Sequence, residues 1–436
     1  MKQSYTRVFI IPILLPLLLL IQGCKQNLVP EIHPSKGTID LLRYISIGDS
    51  YSAGVSNTDF STPSLKGLYE EAQAFSFPQL LAEQFQIIEP IYFEQPILEG
   101  NGSGYLELVS YAKPKCELAI PTPKIEKQIP RPGWYYPSSP SRSINNYGTP
   151  NLRSTDLFND SLYFQNPFFS RLSPDLQSSY GDLLSALNPT FFTFWLGLED
   201  VLPYALSGGT QDELKPVSAS SFGNEIHHLL ISLLLKSPNT QGVIANIPDI
   251  TDFPYFATVG SEYISPDECQ QSSRSIYIET SSGTTRKASN LDLILLPAAE
   301  MIGKDYMGLT PEKPIPNHLV LDAFEAAGIR NTISLYNTQL DSLIETINQQ
   351  MGNSRFVIAD MYGLFKKLRG GYTIAGLEVS SEYLTGGVFS LDGVYLTPRG
   401  NAMVANEFIH AINRNRDFSA IIPTINITDY PGVVFP

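Results

Sequence analysis

Cysteine is scarce in this chain, with only Cys24, Cys116 and Cys269 among 436 residues. So few thiols exclude a small scaffold held together by disulfides. No Cys/His spacing of the metal-binding kind occurs either, so neither a metal nor another cofactor is expected. Basic residues are also few, 29 Lys and Arg against 43 Asp and Glu, for a net charge of −14. That balance argues against nucleic acid as a partner and against a polybasic membrane patch. A spanning apolar run is missing as well, since residues 8–21 supply about 14 apolar positions where a membrane helix needs roughly 20. No Gly/Ser linker, internal repeat or charge block divides the sequence, so nothing in it marks a boundary between domains.

The N-terminus is of a different kind from the rest. Lys2 and Arg7 give a positive start, the short apolar run follows, and Ile21-Gln22-Gly23-Cys24 comes at once. This order reads as an export signal. Gly23-Cys24 resembles a bacterial lipobox, in which the cysteine becomes the lipidated N-terminus. The resemblance implies a signal over residues 1–23, lipidation at Cys24 and a tether over 24–40 carrying Pro30 and Pro34. An ordinary cleaved signal with an incidental cysteine is the alternative. Cleavage before Cys24 removes Lys2 and Arg7 and no acid, taking the charge from −14 to −16. Attachment would then rest on acyl chains rather than on protein charge, and the location would be the cell envelope, on its periplasmic or outer-facing side. Cys116 and Cys269 remain; a disulfide between them and two free thiols are both open.

Residues 41–436 read as one elaborated domain, with insertions at about 59–145 and 250–318. Compact apolar runs at 41–47, 191–196, 242–246 and 355–359 predict buried strands. Between them, 222–236 and 319–350 carry helical spacing, and a last helix follows Pro398, which suits a first turn. Strands alternating with helices predict an α/β fold with a parallel sheet. Ligands sit at the carboxyl ends of the strands in such sheets, and Ser50 falls just past one of those ends.

Tyr44-Ile45-Ser46-Ile47-Gly48-Asp49-Ser50-Tyr51-Ser52-Ala53-Gly54 closely resembles the first sequence block of the SGNH hydrolases, the GDSL lipases and esterases. Three further segments resemble later blocks in the right order: Asn145 to Asn151 the second, Trp195 to Asp200 the third, Phe389 to Gly400 the fifth. Ala245 to Thr251 is similar to a strand-end segment of lipoprotein members. The resemblance implies a three-layer α/β/α sandwich with a flavodoxin-like parallel sheet. It implies Ser50 as the acyl nucleophile, with its own N–H in the oxyanion hole, and an ester-bearing small molecule, lipid or glycan as the ligand.

The same comparison shows three departures. Asn151 stands where the family has an oxyanion-binding glycine; asparagine tolerates positive φ, so its N–H could still serve. Glu199 replaces an asparagine donor, and an ionised carboxylate donates nothing. Tyr395 replaces the histidine of Asp-x-x-His, leaving Asp392 without an imidazole to orient, and a phenol with a pKa near 10 is a poor base at neutral pH. None of the five histidines, His33, His227, His228, His318 and His410, is placed as a substitute base, whereas Glu199 or a lysine remains open in that role. Asp49 and Asp200 are expected to hold turns. The sequence therefore implies a weakly active or inactive pseudo-hydrolase that still binds an ester. An active carboxylesterase with a non-standard base and a structural envelope protein with a filled cleft are the alternatives. Trp134-Tyr135-Tyr136 is expected to pack as a loop rather than to rim a sugar cleft, and the oligomeric state is not legible.

Overall fold

The computed structural model describes residues 1, 33–62, 66–113, 119–135, 144–173, 176–264 and 273–436. All three cysteines, nearly all of the expected export signal and most of the expected tether lie outside the described residues. The chain divides into two units, Met1–His33 and Pro34–Pro436. No helix among the described residues is long and apolar enough to cross a membrane.

The second unit is built on four parallel strands in chain order: β1 (Tyr44–Gly48), β2 (Phe191–Trp195), β3 (Gln241–Ala245) and β4 (Phe356–Ala359). Every residue of β1 and β2 is buried, which is why their sequences are continuously apolar rather than alternating. On the free edge of β1 the segment around Asn146 runs parallel to it. Ser46 N donates to Asn145 O at 2.8 Å, and Tyr147 N to Ser46 O at 2.8 Å. That rudimentary fifth strand completes the flavodoxin-like order.

Seven helices matter for the site. They are α1 (Ser50–Ala53), α2 (Phe77–Gln86), α3 (Leu198–Leu206), α4 (Ala219–Lys236), α5 (Ala323–Met351), α6 (Met361–Gly370) and α7 (Pro398–Arg414). Phe77 of α2 stacks on Phe408 of α7 with ring centroids 4.9 Å apart, and Phe222 of α4 on Tyr336 of α5 at 4.1 Å. These pairs form two helical layers, and α5 and α7 both reach β4. The result is a three-layer α/β/α sandwich. The expected helix over 319–350 starts later, at Ala323, because Asp322 caps it. The Asp322 carboxylate accepts from Phe324 N at 2.9 Å and Glu325 N at 3.1 Å, and Glu325 reaches back to Asp322 N at 3.0 Å. This reciprocal cap stops the helix from extending further back.

The two stretches read as insertions behave differently. Helix α2 lies within the first, yet it belongs to a main layer through Phe77, Leu81 and Phe85, all buried. The second carries its own small core of Val259, Ile276, Ile278, Ile294, Ile302 and Ile315, separate from the main one. Trp134 packs on Phe168 with centroids 4.8 Å apart, as a loop held down by its own aromatics.

Candidate active site

The strand-to-helix turn after β1 is tight because two backbones meet there. A Cβ on Gly48 would lie 2.1 Å from the Trp195 carbonyl oxygen, so only glycine fits. Asp49 then caps α1 by accepting from Tyr51 N at 3.2 Å, and Ser50 becomes the first residue of that helix. Burial, reinforced by the nearby Glu199, holds the Asp49 carboxyl well above its usual range. Its role here is that of a turn residue.

Ser50 is fully buried, at 0 % exposure. Its hydroxyl donates to Glu199 Oε1 in a short hydrogen bond, and Asn151 N points at Ser50 Oγ from 3.4 Å. Asn151 adopts φ +63°, the left-handed conformation, and this aims its N–H at the serine. Helix α3 begins after Gly197 and carries Glu199 and Asp200 in its first turn, where the helix dipole favours negative charge. The two acids face different partners. Asp200 accepts from Ser154 N at 2.9 Å and Ser154 Oγ at 2.6 Å, tying down the loop that carries Asn151; burial pushes its carboxyl up to about 6.

Glu199 is 1 % exposed and meets a residue that no motif marks. Lys66, itself 4 % exposed, places Nζ 3.2 Å from Glu199 Oε1 and 3.3 Å from Oε2. Lys66 Nζ also donates to the Tyr395 hydroxyl at 2.7 Å, and Tyr395 in turn donates to Glu199 Oε1 at 2.8 Å. Burial, and after it the charge of Glu199, hold the Tyr395 phenol well above 10, so it stays protonated. An ammonium, a carboxylate, a phenol and a serine hydroxyl thus satisfy one another, and the ammonium balances the carboxylate. An isolated ion would not be tolerated at this depth.

Asp392 does not join this group. Its Oδ2 accepts from Thr58 N at 2.7 Å, and its Oδ1 from Val394 N and Tyr395 N, both at 2.8 Å. With no imidazole to orient, it holds backbone instead. Around it the stretch after Ser50 is fastened to the fifth block: Tyr51 Oη donates to Val394 O at 2.8 Å, and Ser56 Oγ to Leu396 O at 2.9 Å. Tyr51 also stacks on Trp195 at 4.4 Å.

Lys66 reaches the centre because residues 56 and 67 close a loop. Ser56 N donates to Gly67 O at 2.8 Å, and Gly67 N to Thr58 Oγ1 at 3.0 Å. A Cβ on Gly67 would sit 1.9 Å from Ser56 O. Phe60, from the same loop, lies over Tyr395 with ring centroids 6.1 Å apart and stands 5.7 Å from Lys66 Nζ. Sequence reasoning left a lysine base open without naming one. The sole local signal is Gly67, whose close approach to another strand of chain is invisible in one dimension. Two of the histidines have partners elsewhere: His228 stacks on Phe158 at 3.7 Å, and His410 faces Glu407 at 3.4 Å. Among the described residues no group of three or more His, Cys, Asp and Glu is arranged to hold a metal ion. A cavity of about 760 Å³ beside Arg43, Gln241 and Arg355 lies at the amino ends of the strands, away from Ser50.

The family model described as GDSL-like Lipase/Acylhydrolase matches residues 44–408. No curated protein matches the sequence. Among solved structures, LAE5, an alpha/beta hydrolase enzyme from the metagenome of Lake Arreo, is 11 % identical, with a TM-score of 0.36 over 86 % of this chain and 95 % of that one. A putative GDSL-like lipase from Parabacteroides merdae is 11 % identical, with a TM-score of 0.35 over 87 % of this chain and 98 % of its own. An extracellular lipase from Streptomyces rimosus is 11 % identical, with a TM-score of 0.30 over 84 % and 98 %. The family match spans the first strand, the serine turn, Glu199, Tyr395 and most of the last helix, and on that match the chain belongs to the GDSL-like lipase/acylhydrolase family.

Proposed function

We propose that this protein binds an acyl ester on its hydrolase scaffold and turns it over through Ser50 at a rate far below that of an enzyme with an imidazole base. One observation carries the reading. At the position of the missing histidine stands a buried phenol that burial keeps protonated, hydrogen-bonded to Glu199 rather than free to take a proton. General-base catalysis is typically worth a factor of roughly 100 to 10,000, and that is the scale of the expected deficit. The ester belongs to a small molecule, a lipid or a glycan. Attachment to the cell envelope through Cys24 is part of the same proposal, supported by the order of the first 24 residues. Incorporation of labelled palmitate that survives Cys24→Ala would refute the anchor.

The burial of Ser50 favours a second reading, a structural envelope protein whose cleft is filled. A fluorophosphonate probe separates the two. Slow labelling, with weak aryl-ester hydrolysis that disappears in Ser50→Ala, supports the first. Failure of both the folded wild-type protein and Glu199→Asn/Tyr395→His to label at any pH leaves only the second.

A further inference from the structure

We propose that Glu199 and Lys66 together take the place of the missing imidazole, Glu199 as the acceptor of the Ser50 proton and Lys66 as the fixed positive charge beside it. This rests on the reading of Ser50 as the acyl nucleophile and goes beyond it by naming the base.

The hydrogen-bond directions leave one candidate. Ser50 Oγ donates to Glu199 Oε1, so the hydroxyl proton already points at a carboxylate. Tyr395 also meets Ser50, but it spends its single O–H on the same carboxylate oxygen, receives from Lys66 and stays protonated. Lys66 makes described contacts with Glu199, Tyr395 and Phe60, and none with Ser50 Oγ. Asp392 is committed to three backbone amides. Only Glu199 both touches the serine hydroxyl and can take its proton.

The proton inventory closes. Ser50 Oγ attacks the ester carbonyl carbon; the Oγ–C bond forms, the C=O pair moves onto oxygen, and the Oγ proton passes to Glu199. Negative charge has moved from the carboxylate to the tetrahedral oxyanion, with Lys66 balancing it in both states. Glu199 stands where relatives of the family resemblance carry an asparagine donor, and once protonated it has an O–H to give. A residue that would repel the oxyanion as an anion thus becomes a donor to it after the transfer, alongside the N–H of Asn151. Collapse breaks the bond to the alkoxy group, which leaves with the proton from Glu199. Acyl-Ser50 and an alcohol result, and water resolves the acyl group by the same steps in reverse order.

The groups facing Glu199 that bear on its charge are Lys66 from the loop, Tyr395 from the fifth block, and Asp49 and Tyr51 from the serine turn. Of these only Lys66 is cationic, so it alone stands beside Glu199 to balance negative charge in the site. The test is the rate of Ser50 labelling by a fluorophosphonate as a function of pH, with folding checked by thermal melting. In the wild type the rate should rise from acid pH to a plateau. Glu199→Gln should cut it by about 100-fold or more and remove the rise. Lys66→Met should lower it by roughly 10-fold or more, while Lys66→Arg retains most of it. Should Lys66→Met fail to fold, Lys66→Met with Glu199→Gln leaves no lone buried charge and should label as slowly as Glu199→Gln. Labelling that is unchanged in rate and pH profile by Glu199→Gln overturns the assignment of the base while leaving Ser50 as nucleophile. Absence of labelling in the wild type and in Glu199→Asn/Tyr395→His overturns the nucleophile itself.

Discussion

Two buried carboxylates, Glu199 in the first turn of α3 and Asp392 in the segment before α7, put the same chemical group to different work. Asp392 is held mainly by backbone, the amides of Thr58, Val394 and Tyr395, with the Ser390 hydroxyl beside them. Glu199 is enclosed by side chains: a serine hydroxyl, a phenol and an ammonium. Three of the donors to Asp392 are backbone amides, which keep their protons in a reaction, so Asp392 holds the shape of the segment. Hydroxyls and an ammonium form a chain through which a proton and a charge can be rearranged. In this chain Asp392 is an anchor, and Glu199 is the centre of the polar group around Ser50.

Breaking the side-chain cluster should give the largest effect on stability. Glu199→Leu strands the Lys66 ammonium in a closed site and should cost about 3–5 kcal/mol, whereas Glu199→Leu with Lys66→Met should recover most of it. Urea unfolding of the three proteins measures this; equal losses in the single and double variants would mean that the ion pair is not what holds Glu199 in place.

Asp200, beside Glu199 on the same helix turn, sharpens the contrast because it is served mainly by Ser154. Its carboxyl sits at about 6 in the fold against an ordinary value of 3.8, so the folded state holds the proton more tightly. That contribution to stability is complete below about pH 4 and is lost as pH rises through about 6, a span on the order of 2–3 kcal/mol. Asp200→Asn should flatten the stability–pH curve in that window; an unchanged slope would show that Asp200 does not titrate there.

The anchoring carboxylate should give the smallest change. Asp392→Asn keeps an oxygen for Val394 and Tyr395 but turns an amide toward Thr58 N, an expected cost of about 1–2 kcal/mol. The pH dependence of Ser50 labelling should stay the same. A shifted pH profile would place Asp392 in the proton chemistry and erase the distinction between the two acids.

Much of this was readable along the chain. The four strands followed from runs of apolar residues that must be buried on both faces, and the serine turn from Gly48 between a strand and a cap. Asn151 at φ +63° was legible because asparagine is one of the few residues that accept that conformation. The start of α5 was misplaced by a few residues, since apolar spacing continues past the point where Asp322 ends it. Helix α2 read as part of an insertion although it fills a main layer, because its partner Phe408 lies more than 300 residues away.

The sequence by itself determined the family and the parallel α/β architecture, and it marked Asn151, Glu199 and Tyr395 as the residues to compare with the family pattern. Each of these depends on local order, which one dimension preserves. Tertiary structure alone decided that Lys66 enters the site, that Asp392 serves backbone, and that Ser50 donates to Glu199. The physical reason is that a buried charge is permitted only beside its partner. Which residue becomes that partner is set by loop closure between Ser56 and Gly67, and no pattern of neighbouring residues encodes it.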